Sequence, residues 1–155
     1  MGIEIERKFL LKDDSWQQLA DAGTPYRQGY LIGTKQASVR VRIEGDQAFL
    51  NIKSRTLGVT RQEYQYPLPL DEAKELLDTL CEKPLVEKTR YKIEYAGHEW
   101  EIDVFGGDNS GLVVAEVELQ SEHEALALPP WVGVEVSADP RYYNVNLVKH
   151  PYSTW

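Results

Sequence analysis

Residues 2–12, GIEIERKFLLK, alternate: Glu4, Glu6 and Lys8 point one way while Ile3, Ile5 and Phe9 point the other. That period of two is the mark of extended backbone, whose successive side chains leave opposite faces. The pattern returns at 26–33, 37–44, 47–53, 60–66, 85–95, 98–105 and 112–119. Gly45-Asp46 and Ala96-Gly97 sit where tight hairpin turns belong, so neighbouring strands pair antiparallel. The chain is therefore mainly β, with room for a few flanking helices. Asp71 to Leu80 has helical spacing at Ala73, Leu76, Leu77 and Leu80, with acids in its first turn. A second short helix is expected from Ser121, which has capping-box spacing to Glu124, until Pro129-Pro130 stops it. A third falls near Arg141 to Lys149.

The polar faces of these strands are not a random mixture. Arg40 and Arg42 form one ladder; Lys53 and Arg61 with Glu63 a second; Lys88, Arg90 and Lys92 a third; Glu101 with Asp103 a fourth; and Glu116 with Glu118 a fifth. The opposite faces, as in Val39, Val41 and Ile43 or Trp100, Ile102 and Val104, are apolar and need cover. If the sheet closes, the charged face becomes its interior. A barrel of about eight strands holds packed side chains or one small ligand, and so many interior charges are costly unless paired, hydrated or neutralised by a guest. Clustered carboxylates suit a hard cation such as Mg2+ or Mn2+, and Arg and Lys suit phosphate oxygens. Together they describe a metal-phosphate site.

Composition narrows the partners. The formal net charge of −8 argues against a nucleic-acid backbone, whose binding leaves a net basic footprint. Apolar runs such as Leu112 to Ala115 end far short of the roughly 20 residues of a membrane span. Charges at Glu4, Glu6, Arg7 and Lys8 replace the apolar region of a signal peptide, so a cytoplasmic location is expected. Cys81 is the only cysteine, and His98, His123 and His150 lie far apart, which leaves no zinc motif. With no linker or repeat, residues 1–155 read as one domain. The expected partner is a small molecule, with no nucleic acid and no membrane; a homodimer is left open.

At these residues the chain resembles the CYTH, or triphosphate tunnel metalloenzyme, superfamily, nearest its short bacterial members. The signature Glu-x-Glu-x-Lys is met by Glu4 to Lys8. The likeness continues through Arg27 to Leu31, Val39 to Arg42, Ile52 to Ser54, Arg61 to Tyr64, Glu87 to Tyr91, Glu101 to Phe105, Glu116 to Glu118 and Asp139 to Asn144. Gln65 departs from it, standing where similar proteins often place a second acid. The resemblance implies a closed antiparallel eight-stranded tunnel with a charged lumen, metal-dependent hydrolysis of triphosphates, and a C-terminal helix, here Arg141 to Lys149, as plug. Two neighbouring Glu-x-Glu strands would place Glu4, Glu6, Glu116 and Glu118 around a metal, with Glu63 and Asp103 as supporting ligands. Arg40, Arg42, Lys53, Arg61, Lys88 and Arg90 would bind substrate together with Lys8, and Lys8 with Tyr30 would form a proton-transfer pair. Inorganic triphosphate is the expected substrate. On the same fold an adenylate cyclase, a thiamine triphosphatase using Trp100 or Trp131 to stack a ring, and a non-catalytic polyphosphate-binding module are the alternatives.

Overall fold

In the computed structural model, which describes residues 2–155, the alternating segments become β1 (Ile3–Leu11), β2 (Thr24–Gly33), β3 (Ala37–Glu44), β4 (Gln47–Ser54), β5 (Thr60–Leu68), β6 (Val86–Tyr95), β7 (His98–Phe105) and β8 (Val113–Glu118). A further short strand, β9 (Val132–Glu135), follows. All pair antiparallel in the order β5-β4-β3-β2-β6-β7-β8-β1. The first half of β1 closes the ring against β5 through Ile3 to Ile5. Its second half pairs with β9 through Phe9 and Leu11. The result is a closed eight-stranded barrel with one extra strand.

The turns set the register. At Ala96-Gly97 both residues take positive φ, 49° and 84°, the pair that a two-residue hairpin of matching twist requires. Tyr95 then lies opposite His98 and, counting outward, Lys92 opposite Glu101 and Arg90 opposite Asp103. Residues opposite each other share a face. The remaining pairings, Glu101 with Glu116, Lys8 with Glu116, Glu6 with Glu118, Glu4 with Arg61, Lys53 with Glu63 and Tyr26 with Lys88, carry that one face around the ring. It faces inward.

The outward faces are covered in two places. Trp100, Ile102, Ala115, Val117 and Phe9 pack beneath Trp16, Trp131 and Val132, with Trp131 edge-on to Trp100 at 5.7 Å. Elsewhere α1 (Leu70–Thr79) lays Ala73 and Leu77 over Val41, Ile43 and Ala48. Burying a large apolar side chain contributes about 1.5–3 kcal/mol, so these contacts, not the charged interior, hold the barrel closed. One end of the lumen is sealed by α2 (Asn144–Lys149), whose Leu147 and Val148 meet Tyr30, Val86, Phe105 and Val114. The expected C-terminal plug is thus present. It is divided: a 3-10 turn at Pro140–Tyr142, extended backbone at Tyr143, then α2.

One expected helix is absent. After Ser121 a single turn closes, the Glu124 N–H donating to the Ser121 carbonyl, and the chain then runs without regular structure to Pro130. The Glu124 carboxylate accepts from the Gln120 backbone and contacts His98, so the would-be cap is spent on fastening the segment to the barrel, and Leu126 joins the Trp100 cluster. Tertiary contacts outweigh the capping signal. Among the described residues no helix is long and apolar enough to cross a membrane.

Candidate active site

The inward face encloses a cavity of about 450 Å3, and most of its charges lie on opposing walls, with Glu44 and Glu101 paired to Arg42 and Arg90 and with Lys8 among the acids. β3 and β6 supply Arg40, Arg42, Lys88 and Arg90; β1 and β8 supply Glu4, Glu6, Glu116 and Glu118. Lys53, Arg61 and Glu63, from β4 and β5, join the walls on one side.

On the cationic wall, Asp103 acts as a clasp. Its Oδ1 accepts from Arg90 Nε at 2.7 Å, and its Oδ2 accepts from Arg90 Nη2 and Lys88 Nζ, each at 2.8 Å. Both oxygens are engaged and the side chain is wholly buried. Lys88 also donates to Asn144 Oδ1 at 3.2 Å, which α2 carries into the lumen and which accepts from Gln28 as well. Burial, with repulsion from Arg90 and Arg42, lowers the Lys88 pKa to about 8 against the pull of Asp103. Burial likewise lowers Arg42 to about 10, helped by Arg40 and Arg90. Arg40 Nε and Nη2 and Arg42 Nε are buried without any hydrogen bond. Buried donors are ordinarily satisfied, so these point to an acceptor that arrives from solution.

The acidic wall is frustrated in the opposite sense. Burial, with repulsion from Glu116 and Glu4, raises the Glu6 pKa well above normal. Burial works to raise Glu116 too, but Lys8, Arg90 and a hydrogen bond from Glu6 outweigh it and hold Glu116 well below. Burial, Glu4 and Glu63 also raise Glu118. Glu4 Oε1 lies 3.2 Å from Lys53 Nζ without hydrogen-bond geometry, and Glu116 Oε1 is 3.7 Å from Arg90 and 3.8 Å from Lys8. These oxygens are short of donors, as the guanidiniums opposite are short of acceptors.

Every expected site residue except Asp103 borders the cavity. Lys53 bridges Glu4 and Glu63 at 3.2 and 3.3 Å, giving both carboxylates a counter-charge. Arg61 stacks on Tyr143 and donates to the Gly58 carbonyl. Lys8 Nζ donates to the Tyr142 carbonyl at 3.0 Å and lies beside Glu116. Tyr30 is packed into the apolar end cluster, and its hydroxyl is not among the hydrogen-bond partners of Lys8. Trp100 and Trp131 are buried in the outer cluster and cannot stack a substrate ring. Gln65, the departure from the acidic pattern, accepts from Asn51 at 2.8 Å.

Other lining residues carried no charge signal or lay outside the ladders. Tyr26 sits on the floor of the cationic wall; Arg55 reaches the lumen rim and Asn146 at 3.4 Å; Asn144 enters from the plug. Tyr26 is two residues before Gln28 on one strand, so alternation alone turns it inward. Burial raises its pKa to about 12, which keeps the phenol neutral.

The CYTH domain model matches residues 2–152. An inorganic triphosphatase of Acetivibrio thermocellus is 49% identical over 155 residues, spanning 100% of this chain and 99% of the relative. An inorganic triphosphatase of Nitrosomonas europaea is 41% identical over 148 residues, 93% of this chain and 95% of the relative. The crystal structure of an inorganic triphosphatase superposes with a TM-score of 0.67 at 38% identity, covering 94% of this chain and 93% of that one. By sequence, barrel and charged lumen alike, the chain belongs to the CYTH domain family.

Proposed function

We propose that the protein hydrolyses inorganic triphosphate to pyrophosphate and phosphate with the aid of a divalent cation, Mg2+ or Mn2+. The observation that carries this reading is the complementarity of what each wall lacks: buried Arg40 and Arg42 donors without acceptors face Glu4 and Glu116 oxygens without donors. A phosphate chain bearing a cation meets both needs at once. The relatives named inorganic triphosphatase add the substrate class.

The donor set fits a hard cation, since all of it is carboxylate oxygen. Among the described residues no three potential ligands converge into a ready-made cage. That suits Mg2+, which is usually held through one or two carboxylates plus substrate phosphates and water. It would draw one or two ligands from among Glu4, Glu6, Glu116 and Glu118, which line the lumen together. When bound, such an ion neutralises phosphate charge and lowers the pKa of a coordinated water. Asp103 is reassigned in this reading from ligand to counter-ion, because Arg90 and Lys88 occupy both its oxygens.

The chain's own residues do the rest. Arg40, Arg42, Lys53, Lys88 and Arg90 position the phosphates and stabilise charge on the leaving pyrophosphate, the main task in phosphoryl transfer. Lys8, 3.8 Å from Glu116 and donating to the Tyr142 carbonyl, is placed between the acidic wall and the plug, where it can bind a phosphate oxygen. Leu147 and Val148 of α2 close that end of the lumen with an apolar cluster. The test is phosphate release from inorganic triphosphate, ATP, thiamine triphosphate and pyrophosphate with Mg2+, with Mn2+ and with chelator. Metal-dependent release from triphosphate well above the others is expected; equal or faster release from a nucleotide would overturn the substrate assignment.

A further inference from the structure

We infer that Tyr26 is a positioning residue for the phosphate-binding wall: its ring is the common surface on which Arg42, Lys88 and Arg90 are held side by side. This rests on the reading of that wall as a triphosphate clamp.

The ring centroid lies 4.9 Å from Arg90 Cζ, 5.2 Å from Arg42 Cζ and 5.8 Å from Lys88 Nζ. Tyr26 is directly opposite Lys88 on β6 and Glu44 on β3, so the backbone pairing itself sets it at the centre of the group. Only 6% of it is exposed. Three cations converging on one buried spot repel each other, and Asp103 reaches only two of them. Arg42 has its ion-pair partner at 3.5 Å in Glu44 and keeps a buried Nε without a partner. The negative face of an aromatic ring attracts a cation within about 6 Å of its centroid, most strongly when water is excluded. Tyr26 therefore supplies diffuse negative charge without offering an anionic oxygen that would compete with phosphate. A carboxylate in its place would hold the cations but repel the substrate. The ring fixes the three side chains before the substrate arrives, so less ordering is required on binding.

The test separates the ring's charge distribution from its shape. Tyr26→Phe keeps the ring; Tyr26→Leu removes it; pentafluorophenylalanine placed at position 26 keeps the outline but reverses the charge distribution of the face. Affinity for tripolyphosphate is measured by calorimetry in chelator, alongside KM and kcat with Mg2+ and a thermal melt of each variant. The Phe variant is expected within about twofold of the parent, and the Leu and pentafluoro variants to lose affinity and raise KM by about fivefold or more, with any fall in kcat no larger than the change in KM. The pentafluoro variant keeps the shape and so remains informative where the Leu variant does not fold. Affinity of the pentafluoro variant equal to that of the Phe variant, or a loss confined to kcat, would overturn the inference. A parent protein that binds tripolyphosphate but does not turn it over would sink the hydrolase reading while leaving the ring's effect readable in the affinities. A parent that does not bind it would overturn both.

Discussion

The two walls of the lumen differ in burial, the cationic one more deeply buried and the acidic one opening to an exposed Glu118, and they reach opposite states before any ligand arrives. On the cationic wall three of the four side chains are backed by fixed groups: Asp103 clasps Arg90 and Lys88, Asn144 holds Lys88, and the Tyr26 ring lies against Arg42, Lys88 and Arg90. On the acidic wall the carboxylates repel one another, with Glu6 pushed up by burial, Glu116 and Glu4, and Glu116 held down by Lys8 and Arg90. The first is preorganised, with its spare donors directed inward. The second is held under repulsion that only a cation or a proton relieves. On the proposed function, such a pocket would recognise a phosphate chain with one wall and make its chemistry conditional on a cation at the other.

The largest effect that would sharpen this contrast is on turnover. Glu116→Gln should lower metal-dependent phosphate release by about 10–100-fold, the loss typical even of removing a group that supports a metal ligand. Its metal-free affinity for tripolyphosphate should be unchanged or higher, because a negative charge near Arg90 is gone. A matched loss of both would mean that the walls do not divide the work. Asp103→Asn attacks the other side. Breaking a buried pair by removing one partner costs about 3–5 kcal/mol, read as a lower urea midpoint, with weaker tripolyphosphate binding and an unchanged Mg2+ affinity. A fall in Mg2+ affinity would restore Asp103 to the metal.

A smaller effect is expected with pH. Lys88 has its pKa lowered to about 8, so it is cationic below that value and neutral above it. Metal-free tripolyphosphate affinity should therefore fall as pH rises through 8, with an apparent midpoint at or above 8 because the bound anion favours the protonated form. Lys88→Arg should remove that step. Outside the lumen, Ala96 at φ 49° bears the left-handed strain that glycine escapes. Ala96→Gly should raise stability by about 0.5 kcal/mol and leave binding alone, a control that separates barrel stability from lumen chemistry.

Much of this contrast was legible in the sequence, because alternation and hairpin turns are local. Eight strands, the sorted charges and the plug follow from periods of two and from the likeness of Glu4 to Lys8 and its successors. The Asp103 clasp was legible in principle as well: a two-residue turn at Ala96-Gly97 fixes Arg90 opposite Asp103, and a buried arginine opposite an aspartate pairs with it before any metal can. What stayed hidden depends on contacts between distant segments. β9 is four residues long and exists because the second half of β1 offers an edge; Gly133 permits the approach, as a Cβ there would lie 3.1 Å from the Leu10 carbonyl oxygen. The helix expected after Ser121 yields to the fastening of Glu124 onto His98 and Gln120. Tyr26 bears no charge, so a reading that followed charges passed over it.

The most direct measurement is calorimetric titration of tripolyphosphate into the parent protein and the Glu116→Gln variant, each in chelator and in Mg2+. Binding by both proteins in chelator, with the added effect of Mg2+ present in the parent and lost in the variant, is the predicted result. Absence of binding to the folded parent in chelator, or a Mg2+ effect that survives in the variant, would contradict the division of the lumen into an anion wall and a cation wall.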